Sequence, residues 1–193
     1  MNREVNGGLF MDFIIFNPEI TVGNIATLLA ALPVLLGATY AGLQWKNNIR
    51  FERARYMEKL IEKITTDEDI VDVLFMIEYS EKWYTENFHG NKNLELKVDK
   101  TLSFLSYICY LRVKKIITEA EFEFFKYQLV HTLSDTQVED YLYNLYHFTQ
   151  KYCTEMTFRY LLEYAISNNL FDKDFKNKDA YKYNKKYHRN INL

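Results

Sequence analysis

Along most of this chain apolar residues recur three and four positions apart, the spacing of one face of a helix. In one stretch they fill every side. Ile20 to Trp45, "ITVGNIATLLAALPVLLGATYAGLQW", is a run of 26 residues without a formal charge, bounded by Glu19 and Lys46. As a helix it reaches about 39 Å, at about 1.5 Å per residue, against about 30 Å of hydrocarbon in a bilayer. The run therefore predicts a single transmembrane helix over 20–45. Pro33 predicts a kink there, which membrane helices tolerate. Tyr40 and Trp45 fall where an interfacial aromatic belt would lie. Other readings fit less well. A soluble core helix rarely runs this long without a charge. A cleaved leader would start earlier and would not carry Glu4, Asp12 and Glu19 beside Arg3. An interfacial helix would need a charged face.

Beyond the run the pattern is amphipathic. "IRFERARYMEKLIEKI" continues the span as a basic juxtamembrane helix, 46–65, with Phe51, Ala54, Leu60, Ile61 and Ile64 as its apolar positions. Thr66 with Asp69 three residues on marks the next start. Ile70, Val73, Leu74 and Ile77 form its stripe, and it is expected to run to about Asn87. "HGNKN", from His89, reads as a turn. A third helix covers Leu94 to Lys115, with Val98, Leu102, Leu105, Ile108 and Cys109 inward. Its "TLSFLSYICYL" is too short for a second span and marks the most buried helix of a bundle. Thr118 and Glu121 form a capping box for a fourth helix carrying Phe122, Phe125, Leu129, Val130 and Leu133. Ser134 and Gln137 repeat the box for a fifth, with Val138, Tyr141, Leu142, Leu145 and Phe148. Thr154 caps a last helix with Phe158, Leu161, Leu162 and Ala165. No strand alternation persists. The fold class is all-α: one N-terminal membrane helix, then a small helical bundle over 66–171.

Composition agrees. Two prolines and six glycines in 193 residues favour long helices over a turn-rich β protein. The many Tyr, Phe, Lys, Asn and Ile residues read as an AT-rich genome more readily than as a binding surface. Cys109 and Cys153 stand in no CxxC or Cys/His spacing, which argues against a disulfide framework or a zinc site. The net charge of −2 excludes strong polyanion binding by the chain as a whole.

The charges flanking the run are asymmetric. Lys46, Arg50, Arg53, Arg55 and Lys59 follow it and only Arg3 precedes it. The positive-inside rule then predicts a single-pass inner (cytoplasmic) membrane protein, with residues 1–19 outside and the C-terminal side in the cytoplasm. Lys46, Arg50, Arg53 and Arg55 are candidate lipid-headgroup contacts, worth about 1 kcal/mol each at an anionic leaflet. "GLFMDFIIF", Gly8 to Phe16, is apolar but too short to span, and Met11 is a second candidate start. The tail 172–193 holds six lysines and Arg189 against three aspartates. It lacks apolar periodicity and is expected to be disordered.

Candidate chemistry is sparse. Gly37 and Ala41, and Ala38 and Gly42, are four apart, a small-xxx-small pattern that lets membrane helices approach closely. There is no HExxH, G-x-S-x-G or P-loop. Of the scattered histidines, His131 and His147 lie on consecutive expected helices and could meet Glu139 or Asp140. These four are the only catalytic candidates. Scattered histidines on amphipathic helices are more often surface or hydrogen-bonded residues. No metal and no cofactor is expected. The expected partners are membrane lipid, a second copy of the chain and a cytosolic protein. Nucleic acid, reached through the basic tail, is the weakest of these readings.

The stretch "FHGNKNLELKVDKTLSFLSYICYLRVKKIITEAEFEFFKYQLVHTLSDTQVEDYLYNLY", Phe88 to Tyr146, behind this type of apolar segment, resembles a set of uncharacterised bacterial proteins. Those have one N-terminal membrane helix and a short all-helical cytosolic domain. The resemblance implies an association with mobile elements and phage defence, and it carries no residue roles. The function expected first is thus a membrane-anchored helical interaction or effector module, self-associating and acting on the membrane. A tethered enzyme and a nucleic-acid-binding module are the alternatives.

Overall fold

A computed structural model describes residues 22–85, 87–152 and 154–177. The described residues are all-helical: α1 (Val22–Thr66), α2 (Glu68–Glu78), α3 (Lys92–Val113), α4 (Glu119–Ser134), α5 (Thr136–Lys151) and α6 (Arg159–Ser167), with short 3-10 turns at Phe88–Gly90 and Lys173–Lys176. The chain divides into two units, Met1–Arg53 and Ala54–Leu193, and α1 contributes residues to both. Pro33 lies inside α1. The "GLFMDFIIF" stretch, Met11, Cys153 and the tail beyond 177 lie outside the described residues.

In the second unit α3 is central, and α2, α4 and α6 pack against it. Val98, Leu102, Leu105, Ile108 and Cys109 are buried as their spacing predicts, with Phe104 and Leu111 beside them. Burial pushes the Cys109 thiol up to about 12, so it behaves as a small apolar group. The buried hydroxyls on α3 have partners: Thr101 Oγ1 donates to the Lys97 carbonyl at 2.9 Å, and Ser106 Oγ accepts the Leu161 N–H at 3.4 Å, tying α6 to α3. Met57, Leu60 and Ile64 of α1 complete one side of the core. Phe51, expected on that apolar face, is exposed.

Helix ends show where the pattern misleads. The Thr118–Glu121 capping box forms in full, with the Glu121 carboxylate accepting the Thr118 N–H at 2.7 Å. The second expected box does not form. Asp135 is the N-cap of α5 and accepts from the Gln137 and Val138 amides at 2.7 and 3.0 Å. Ser134 Oγ instead donates back to the Val130 carbonyl. Helix α2 stops at Glu78, nine residues before Asn87, because Ser80 turns left-handed (φ 53°) and the Glu81 N–H reaches back to the Met76 carbonyl. Lys115 and Asn169 end α3 and α6 in the same way, with bonds from Ile116 to Leu111 and from Leu170 to Ala165. All three are Schellman closures made without glycine. The last helix starts at Arg159 after Phe158, not at Thr154.

The expected boundary at residue 171 falls short of the packed chain. Asp172 caps the turn Lys173–Lys176, and Phe175 within it is fully buried. Its ring stacks on Phe171 at 4.9 Å and meets Tyr143 edge-on at 5.8 Å. An apolar pair spaced i,i+4 across the boundary, Phe171 and Phe175, is the signal that the charge of the tail obscured.

Candidate functional site

Along α1 the large apolar side chains of the uncharged run point outward on every side. Leu29, Leu32, Val34, Leu35, Leu36, Leu43 and Trp45 are each more than half exposed. The described polar groups of the run bond within the helix. Thr27 Oγ1 donates to the Gly23 carbonyl and Thr39 Oγ1 to the Leu36 carbonyl, both at 2.9 Å, and Gln44 Nε2 donates to Tyr40 Oη at 2.6 Å. A Cβ added at Gly37 or Gly42 would meet nothing within 4 Å. Ala38 and Ala41 are exposed beside them, as are Lys46, Arg50 and Arg55, while Arg53 is half-buried. Among the described residues no helix is long and apolar enough to cross a membrane. The expected span also takes in Ile20 and Thr21, and the side chains of Val22, Asn24, Ile25 and Leu28, which lie outside the described residues.

The histidine candidates do not form a shared site. His131, on α4, has Nε2 2.8 Å from the Glu78 carboxylate of α2 and stacks on Tyr127. His147, on α5, sits against Tyr143 with ring centroids 4.3 Å apart, and its Nε2 lies 3.4 Å from the Phe175 carbonyl. Each imidazole thus serves a different helix contact. Glu139 and Asp140 are half-buried on α5 and have interactions of their own. No group of three or more His, Cys, Asp or Glu that could hold a metal occurs among the described residues.

The polar residues that do converge are others. The segment between α2 and α3 folds its aromatic rings inward: Trp83, Tyr84 and Phe88 are buried, and all three pack on Tyr141 of α5. Gln137 clamps that segment. Its Oε1 accepts the Trp83 and Tyr84 N–H groups at 2.9 and 3.0 Å, and its Nε2 donates to the Glu81 carbonyl at 2.8 Å. Asn144 Nδ2 donates to Tyr84 Oη at 2.8 Å. At the edge of the aromatic cluster His89 Nδ1 lies 2.9 Å from Glu95 Oε1. One helical turn further along α3, Asp99 accepts a 2.6 Å hydrogen bond from Tyr141 Oη. Burial holds the Asp99 carboxyl above its ordinary value; the Tyr141 bond opposes this, Glu95 adds to it, and His89 opposes it. Burial, and then the Asp99 charge, push the Tyr141 phenol upward.

The sequence places His89 in a turn and Gln137 in a capping box with Ser134, and gives Glu95 and Asp99 no role. Glu95 and Asp99 are spaced i,i+4 and so share a helix face, but nothing local marks the ring of α5 that meets them. The chain matches no protein-family model, no curated protein and no solved structure.

Proposed function

We propose that this chain is a membrane-anchored helical module that acts through protein contacts, with the uncharged run as a single-pass anchor and the bundle on the cytoplasmic side. The observation that carries the reading is the apolar surface that surrounds α1 on all sides from Leu29 to Trp45. A buried Leu or Val is worth about 1.5–3 kcal/mol over an exposed one. Leaving the six Leu and Val residues of this stretch in water therefore forfeits on the order of 5–10 kcal/mol, discounted for partial exposure. Lipid supplies the missing apolar phase. The internal bonds of Thr27, Thr39 and Gln44 suit a medium that offers no hydrogen bonds. The basic cluster from Lys46 to Lys59 sets the orientation, N-out and C-in at the inner membrane, and adds headgroup attraction.

Within this reading the Gly37/Ala41 and Ala38/Gly42 face brings copies together, and a defence effector that clusters in the bilayer is its concrete form. The test of orientation is a pair of C-terminal reporter fusions. A reporter active only in the cytoplasm should be functional, and one active only outside should be silent. Activity of the outside reporter overturns the orientation.

A further inference from the structure

The second unit carries a groove with an unusual combination of floor and rim. It lies between the last four turns of α1 and the start of α4, and is an open trough of about 620 Å³. Met57 and Ile61 of α1 face Phe124 of α4 across it. Phe124 is 65% exposed, although it projects from a helix whose neighbouring Phe122 and Phe125 are buried. The rim is acidic: Glu58 and Glu62 line one side and Glu121 the other. No Lys or Arg lines the groove.

Nothing in the fold accounts for Glu58 and Glu62. Glu58 and Glu62 stand i,i+4 on one helix, where like charges repel by a few tenths of a kcal/mol. Among the described residues neither carries an ion pair. Glu121 is held at the entrance of α4 by the capping box, so its charge is fixed at the rim. Four cations of the bundle are engaged elsewhere: Lys97 and Lys100 with Asp67, Asp69 and Asp72, Arg112 with Glu119, and Lys126 with Glu123.

We propose that this groove is the docking site for a basic amphipathic helix of a partner protein, its apolar side chains on Met57, Ile61 and Phe124 and its lysines or arginines on Glu58, Glu62 and Glu121. Helix-in-groove recognition needs an apolar trough that takes residues spaced i, i+3 and i+4, and the two helices here supply its walls. Complementary charge fixes the partner's sign and raises its on-rate. The acidic rim excludes the polyanions that the basic parts of the chain attract, so this face is closed to nucleic acid and to an anionic lipid surface. The inference deepens the proposed function: it rests on the bundle acting through protein contacts and is independent of the anchor.

The test is site-specific photo-crosslinking in cells of the source organism, on the full chain, with p-benzoylphenylalanine placed at Phe124 and, as control, at exposed Val113. Both positions are on the surface, so folding is not at stake. Irradiation should join the Phe124 probe to a partner protein, and sequencing of the adduct should find a helix-compatible segment of net positive charge. Combining the probe with Glu58→Lys and Glu62→Lys should cut the adduct about tenfold at unchanged chain level. An adduct with lipid, with nucleic acid, with a second copy, with this chain's own tail or with a segment of net negative charge overturns the proposal. So does a yield no higher than at Val113, or one indifferent to the lysine substitutions. Fractionating the same cells separates the two readings: a chain in the membrane without the adduct sinks the groove alone, and an adduct on a chain outside the membrane sinks the anchor alone.

Discussion

Gln137 offers the sharpest perturbation of the bundle. Its side chain is half-buried on α5 and makes three hydrogen bonds to the backbone of residues 81, 83 and 84. Gln137→Ala removes all three. The Trp83 and Tyr84 amides then lose their acceptor, at about 1–3 kcal/mol for each donor left unsatisfied and buried. Glu81 is exposed, so water reaches its carbonyl and the third bond adds little. Alanine is the better helix former, by no more than about 0.7 kcal/mol. The net expectation is a loss of about 1.5–6 kcal/mol, against the direction that propensity alone would give. Denaturant unfolding of the full chain in detergent, followed by tryptophan fluorescence, measures it. Hydrogen exchange locates it, since amides in the 81–91 segment should exchange at least about tenfold faster if that segment opens locally. Gln137→Glu keeps the acceptor and should retain most of the protection at the Trp83 and Tyr84 amides. If Gln137→Ala unfolds at the wild-type midpoint and exchange in 81–91 is unchanged, the clamp has no energetic content and the reasoning fails.

The remaining expectations concern single sites. Asp99→Asn should stabilise the chain at neutral pH and lose that advantage in acid. The folded carboxyl is held above its ordinary value, so the contribution of Asp99 is fully present below the unfolded value and is lost as pH rises through the folded one; thermal melts on both sides of that window check it, and equal gains at both overturn it. Leu105→Ala should cost about 2–5 kcal/mol at its fully buried position, and Leu145→Ala, at a half-buried one, should cost less, because burial and cavity terms both shrink with exposure; the two unfolding midpoints decide the order. Phe175→Ala should cost about 3–5 kcal/mol, whereas a truly unpacked tail would leave the midpoint where it is. Lys115→Gly should raise the midpoint, by about 0.5–1 kcal/mol, because a Cβ in the left-handed region is strained and glycine relieves it at small entropic cost.

The parts of the fold legible in the sequence are those set by local spacing. The buried stripe of α3 and the Thr118–Glu121 box involve residues at most a few positions apart, and both stand as read. Helix ends were harder. Ser80, Lys115 and Asn169 take the left-handed turn that glycine usually marks, and with glycine absent α2 looked nine residues too long. Asp135 outcompeted Ser134 as a cap because its carboxylate reaches two amides at once, which frees Gln137 to bridge more than fifty residues back. The polar cluster was illegible for the same reason. His89, Glu95 and Asp99 acquire meaning only when Tyr141 arrives from another helix, and no pattern within either segment encodes that meeting. His131 and His147 illustrate the converse: placement on consecutive helices suggested convergence, and their partners on α2 and on the Lys173–Lys176 turn separate them.

The central claim is that the uncharged run anchors the chain in lipid. Flotation of membranes after an alkaline carbonate wash tests it most directly, on the full chain beside a variant carrying Leu32→Arg and Leu36→Arg. Each arginine at the centre of a span costs about 2.5–3.5 kcal/mol of insertion. The account predicts that the wild-type chain floats with the washed membranes and that the arginine variant is released or lost from them. Recovery of the wild-type chain in the carbonate supernatant would contradict it.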